Sequence, residues 1–166
     1  MKANLEIFSS TLQTLASTNK EVLVVTSDSR GSGKLVPFAE QFPDQIVEVG
    51  IAEQNLVGVA AGLASMGKIT FAVSPACFLT ARSLEQIKND VAYSDNPVIL
   101  VGISAGVSYG ALGSTHHSLH DYAVLRAIHN LIIAAPADDQ ETIAIVKGVS
   151  PFPLFLFTLA LPSSSA

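Results

Sequence analysis

The chain has 166 residues and a formal net charge of −5, a length suited to one domain that buries about two thirds of its unfolded surface. Nine Lys and Arg against fourteen Asp and Glu supply no basic stripe, which argues against a nucleic-acid backbone as partner. Hydrophobic residues make up 49% and charged ones only 14%, so part of the surface is expected to be covered by another chain, while a lone cysteine, Cys77, excludes an intrachain disulfide and fits a reducing compartment.

Short β-branched runs alternate with helical patterns along the chain. Residues 5–16 have helical periodicity, 21–26 (EVLVVT) read as a buried strand, 36–41 as a short helix with Pro37 near its start, and 45–49 as the next strand. The order repeats: helix 52–66 ended by Gly67, strand 68–73, helix 77–92, strand 98–103, helix 118–127 and strand 131–134. After Pro136, Asp138 is placed to cap a helix over 139–147, and 154–159 closes the series. Six apolar strands with intervening helices predict a three-layer α/β/α domain around a six-stranded parallel sheet. The longest apolar run, 151–161, is broken by prolines and falls short of the about 20 residues that a bilayer span needs. With no Arg-rich or apolar leader in the first residues, a cytoplasmic location is expected.

Ligands of such sheets collect at the carboxyl ends of the strands, and the unusual sequence lies there. Residues 27–34 (SDSRGSGK), the 50–55 turn and the long 102–120 loop each follow a strand and are rich in Gly, Ser or His. Gly31-Ser32-Gly33-Lys34 is not a phosphate-binding P-loop, because Leu35 stands where Ser or Thr would hold Mg²⁺. Gly106, Gly110 and Gly113 do not form the spacing of a dinucleotide site either; they permit close backbone approach.

Glu53 is the most informative residue. It stands where a strand gives way to a helix built from small residues, so its carboxyl group is expected to be buried. Burial disfavours the charge of an acid and a helix N-terminus favours it, so the site must either neutralise this group or give it a specific hydrogen-bonding ligand, the setting for acid–base chemistry on a bound heterocycle. His116, His117 and His120 do not read as metal ligands, because Ser118 and Asp121 resemble a capping box that starts a helix after the first two. His116 is the candidate for contact with a polar substrate, and His129 is a helix-end residue. Cys77 reads as a small buried hydrophobe.

Three segments, VGIAEQNLVGVAAGLASMG, FLTARSLEQIKNDVAYSDNPV and YGALGSTHHSLHDYAVLRAI, resemble at consistent spacing the pyrimidine-binding domain of transketolases, and most closely the C-terminal subunit of bacterial transketolases split over two chains. The resemblance runs from about residue 24 to 158. It implies that Glu53 hydrogen-bonds ring nitrogen N1′ of the aminopyrimidine of thiamine diphosphate, a cofactor shared with a partner chain at a subunit interface, and promotes the imino tautomer that takes the proton from the thiazolium C2. It puts Asp28 near the thiamine, Ser32 where a hydroxyl meets a sugar phosphate, and His116 at the donor sugar. Phe71 and Phe78 compete for the aromatic that packs on the pyrimidine, and Arg82 is either a structural ion-pair partner or a cofactor-side contact.

The departures from the family bear on substrate. Leu112 replaces an acid that recognises donor hydroxyls, Ser104 replaces a substrate-side histidine, and residues 155–158 lack the phosphate-binding arginine usual in the last strand. No Gly-Asp pair occurs in the chain, so the Mg²⁺-binding signature of the diphosphate domain is missing and is expected on an N-terminal transketolase subunit, in a homo- or hetero-oligomer. Residues 1–160 are expected to form the pyrimidine-binding domain and 161–166 a short tail, without the family's third domain. The expected activity is ketol transfer between sugar phosphates; the alternatives are a non-catalytic assembly domain, or a domain of the 2-oxoacid dehydrogenase β or deoxyxylulose phosphate synthase type.

Overall fold

The computed structural model describes residues 4–148 and 153–158. Strands β1 (Val22–Thr26), β2 (Ile46–Glu48), β3 (Ile69–Pro75), β4 (Val98–Ile103), β5 (Ile132–Ala134) and β6 (Leu154–Thr158) form one six-stranded sheet in the order β2-β1-β3-β4-β6-β5. Every pairing is parallel, with Val24 aligned to Ile46 on one side and Phe71 on the other, and Phe71 in turn to Ile99. The sheet is buried on both faces, which is why its central strands are continuous apolar runs rather than alternating ones.

Period-two alternation sends the strand side chains into two separate cores. Val24, Phe71, Val73, Ile99 and Val101 face α1 (Asn4–Thr18), α2 (Val36–Gln41) and α7 (Asp139–Lys147), where Phe8, Leu12, Phe38 and Val146 meet them. Val25, Ala72, Val98 and Leu100 face α3 (Glu53–Ser65) and α4 (Ala76–Arg82), packing on Leu56, Val57, Ala60 and Leu79. Each fully buried Leu or Phe contributes about 1.5–3 kcal/mol over leaving it in water. The Ala-rich inner face of α3 brings that helix close to the sheet, and Asp138 caps α7 by accepting a 2.8 Å bond at Oδ1 from the Glu141 amide.

Two helices differ from expectation. The helix predicted over 77–92 is interrupted at Ser83, where φ −115° and ψ 22° end α4; a short α5 (Leu84–Gln86) follows and runs into a π-helical segment, Ile87–Tyr93. Thr80 and Ser83 each donate a side-chain hydroxyl to the carbonyl four residues back, the kind of back-bond that bends helices. The helix predicted over 118–127 is only α6 (Asp121–Leu125), because Ser118 is held in the loop by its amide bond to the Gly106 carbonyl, and its hydroxyl goes to the Asp121 carboxylate instead of to a backbone amide. Residues 151–152 and 159–161 of the apolar run, Leu159 among them, and the 161–166 tail lie outside the described residues. Among the described residues no helix is long and apolar enough to cross a membrane.

Candidate functional site

The loops that follow β1, β2, β3 and β4 meet at the carboxyl edge of the sheet and line a cleft of about 450 Å³. Ser27, Asp28, Ser29 and Ser32 come from the first loop, and Ile51 and Glu53 from the second. Pro75, Phe78 and Arg82 come from the β3–α4 segment, and Tyr109, Leu112 and His116 from the long loop after β4. A wider, open depression of about 830 Å³ shares Ile51, Glu53 and Arg82 with it, so these three residues border both hollows.

Glu53 is the first residue of α3 and is only 4% exposed. Gly50, at φ +74°, makes the turn from β2 that delivers it; a side chain there would meet no other atom, so the left-handed backbone is what calls for glycine. Both oxygens of Glu53 accept from Arg82 Nη1, at 2.9 and 3.0 Å. The Arg82 guanidinium carbon lies 4.1 Å from the centre of the Phe78 ring, a cation–π stack. Phe78 meets His116 edge-on at 5.1 Å between ring centres, and His116 meets Tyr109 at 5.6 Å. One wall thus runs without a break from a buried carboxylate through a cation and an aromatic ring to an imidazole. The His116 Nδ1 is paired with Thr115 Oγ1 at 3.0 Å.

The opposite wall is hydroxyl-rich and braced. Asp28 sits at φ +51°, held by its amide bond to Glu48 Oε1 at 2.7 Å, and the same oxygen accepts from the Gly50 amide at 3.0 Å. The second Glu48 oxygen takes the Arg30 Nε at 3.1 Å. Glu48 therefore ties the first loop to the turn that carries Glu53, a role that sequence reasoning missed; an acid on a short strand reads as a solvated face, and only its place just before Gly50 hinted at more. Beneath, Ser27 Oγ donates to Ser74 Oγ at 2.8 Å and Ser29 Oγ to the Val73 carbonyl at 3.1 Å, so the floor is satisfied internally.

Of the candidate residues, Asp28, Ser32, Glu53, Phe78, Arg82 and His116 are brought together in this cleft. Phe71 is not: it is fully buried in the opposite layer, its ring 6.5 Å from that of Phe8, because its strand position faces α1. Ser104 is buried at φ +56° where β4 ends and does not line the cleft. His120 and His117 turn to structural bonds, with Thr80 Oγ1 at 3.2 Å and the Gly110 carbonyl at 3.1 Å. Among the described residues no group of three or more His, Cys, Asp or Glu side chains is gathered to hold a metal ion.

The family model for the transketolase pyrimidine-binding domain matches residues 2–158. The chain is 53% identical over 146 residues to a protein of Phocaeicola vulgatus named as a subunit of apulose-4-phosphate transketolase, covering 88% of this chain and 47% of that one. It is 37% identical over 145 residues to a putative transketolase C-terminal section of Methanocaldococcus jannaschii, covering 87% and 46%. A solved structure described as a split gene transketolase, inactive beta4 tetramer, superposes with a TM-score of 0.84 at 34% identity, covering all of this chain and 54% of that one. The chain thus spans less than half the length of these two curated relatives.

Proposed function

Since the chain belongs to the transketolase pyrimidine-binding domain family, whose members work with thiamine diphosphate, we propose that it supplies the pyrimidine half of such a site for ketol transfer between sugar phosphates. Residues 1–160 form that module in this reading, and a partner chain with the diphosphate domain holds the diphosphate and its Mg²⁺. The observation that carries it is Glu53, a carboxylate 4% exposed at a helix start, beside the half-buried ring of Phe78. A planar, hydrogen-bonding heterocycle fits that pair: it takes the carboxylate at its edge and the ring at its face.

Thiamine diphosphate, when bound, supplies the carbon nucleophile that breaks and remakes the carbon–carbon bond of a ketose. Glu53 holds and exchanges a proton at the pyrimidine ring nitrogen through its carboxyl oxygens. Phe78 supplies apolar contact, Asp28 closes the cleft on the hydroxyl side, Ser32 meets a sugar phosphate, and His116 Nε2 stabilises oxygen charge on the donor. Leu112, apolar and 57% exposed in the same cleft, favours a donor without a hydroxyl to be matched at that point. The Phocaeicola vulgatus relative is named for apulose 4-phosphate, so that ketose phosphate is the first donor to assay.

The test is Glu53→Gln in the complex with a diphosphate-domain partner. Ketol transfer is expected to fall by about 10²–10⁴-fold in a complex that still assembles and unfolds cooperatively. Near-normal turnover in the variant overturns the assignment.

A further inference from the structure

Arg82 occupies both of the features that define the cleft. Its Nη1 donates to the two Glu53 oxygens at 2.9 and 3.0 Å, and its guanidinium carbon sits over the Phe78 ring, 4.1 Å from the ring centre. A guanidinium and an aminopyrimidine are alike in the relevant respects: both are flat and of similar thickness, with an edge that hydrogen-bonds a carboxyl group and a polarisable face for an aromatic ring. We infer that Arg82 is a latch that fills the pyrimidine seat while the site is empty, and that cofactor entry requires it to swing away from Glu53. The inference rests on the function proposed above and adds a step to it.

The physical need for the latch comes from Glu53. A carboxylate buried at 4% exposure and left without a partner is strongly penalised, so a site that is to stay folded before cofactor arrives must pair it internally. Arg82 does so from the last residue of α4, with 47% of its side chain exposed, so water can receive the guanidinium when it leaves. The chain bends at Ser83 immediately after it, so Arg82 stands at a break between α4 and α5 and not within a continuous helix. The exchange is then a carboxylate–guanidinium pair for one in which a single proton is shared between the Glu53 carboxyl and the ring nitrogen, so Glu53 is partnered in both states.

A closed latch lowers apparent affinity in proportion to the fraction of time the seat is open. If it is closed about nine-tenths of the time, thiamine diphosphate binds about tenfold more weakly than to an open site. Calorimetric titration of thiamine diphosphate with Mg²⁺ into the cofactor-free complex of this chain with its diphosphate-domain partner reads this directly. Arg82→Met is expected to bind the cofactor about tenfold more tightly than wild type, and Arg82→Lys, which keeps the charge and loses the flat face, to lie between them. Thermal unfolding of the same complexes supplies the second readout: the cofactor-free Arg82→Met complex melts several degrees below wild type, and saturating cofactor removes the difference. A merely structural arginine would move affinity the other way. Equal or weaker cofactor binding by a folded Arg82→Met or Arg82→Lys complex overturns the latch while leaving the proposed function standing. A wild-type complex that takes up no thiamine diphosphate overturns the proposed function, and the latch with it.

Discussion

Phe71 and Phe78 carry the same ring into opposite layers of the molecule, and substituting each separates packing from recognition. Phe71 is enclosed by Phe8 and the α1 side of the sheet, so Phe71→Ala leaves a cavity with no means of collapse and is expected to cost about 3–5 kcal/mol in urea unfolding. Phe78 is half-buried at the cleft wall, where its ring supports Arg82 and His116. Phe78→Ala is expected to cost no more than about 1–2 kcal/mol of stability but to weaken thiamine diphosphate binding to the partnered complex about tenfold, the scale of a lost aromatic stack. If Phe71→Ala were the one that spared stability and harmed binding, the assignment of the two layers would be wrong. Both residues stood in apolar surroundings in the sequence and looked alike there. Strand register tells them apart: Phe71 pairs with Val24 and Ile99, all three facing α1, whereas Phe78 lies beyond the strand end. Glu53 was legible because an acid before a run of Ala and Gly has few explanations. Its partner was not, since Arg82 is 29 positions away and the contact depends on where α4 stops.

Elements place these residues through a few backbone positions, of which Gly50 is the sharpest. It holds φ +74° between β2 and α3 with no neighbour near a would-be Cβ, so Gly50→Ala pays only for the left-handed conformation, about 1–2 kcal/mol. Gly50→Asn is expected to cost less, because Asn tolerates that region, and chemical denaturation of the pair checks the ordering. An Ala variant as stable as wild type would mean that the turn relaxes and does not fix Glu53. The alternation of strands and helices was readable throughout: the helix at Val36–Gln41, the strand at Val98–Ile103 and the helix at Asp139–Lys147 sit where periodicity and capping put them. Failure came where side chains compete with backbone ladders. The apolar pattern of residues 77–92 is continuous, yet Thr80 and Ser83 hydroxyls bond carbonyls of the preceding turn and the helix breaks into α4, α5 and a π-helical segment. Ser118 had the spacing of a cap but is committed to an antiparallel bridge with Gly106, a contact between the two ends of a loop that no local pattern announces.

Across the whole molecule, apolar composition beyond what one core needs is visible at the surface near the cleft, where Ile51 is 74% exposed beside Leu112. That agrees with a face meant for another chain, on the reading proposed above. Deeper in, Cys77 is the second residue of α4, next to Phe78, and it is buried. Burial pushes its thiol above the ordinary range, the largest influence, while local backbone bonds and Arg82 pull the other way and Glu53 adds to the rise. Tyr122 is raised too, by burial and then by Asp121. A group whose folded value is raised contributes stability that is complete below its unfolded value and is lost as pH climbs through the folded one. The unfolded thiol gives up its proton near about pH 8.5, while the folded one keeps it, so alkaline solution favours the unfolded chain. Urea midpoints are therefore expected to be level from about pH 6 to 8 and to fall steadily above about pH 8.5. Cys77→Ala is expected to start lower because of its small cavity, yet to lose less between about pH 8 and 10 than wild type, the residual slope belonging to Tyr122. Parallel curves for the two proteins would mean that the Cys77 thiol ionises in the folded state as easily as in the unfolded one, against its enclosure between α4 and the sheet.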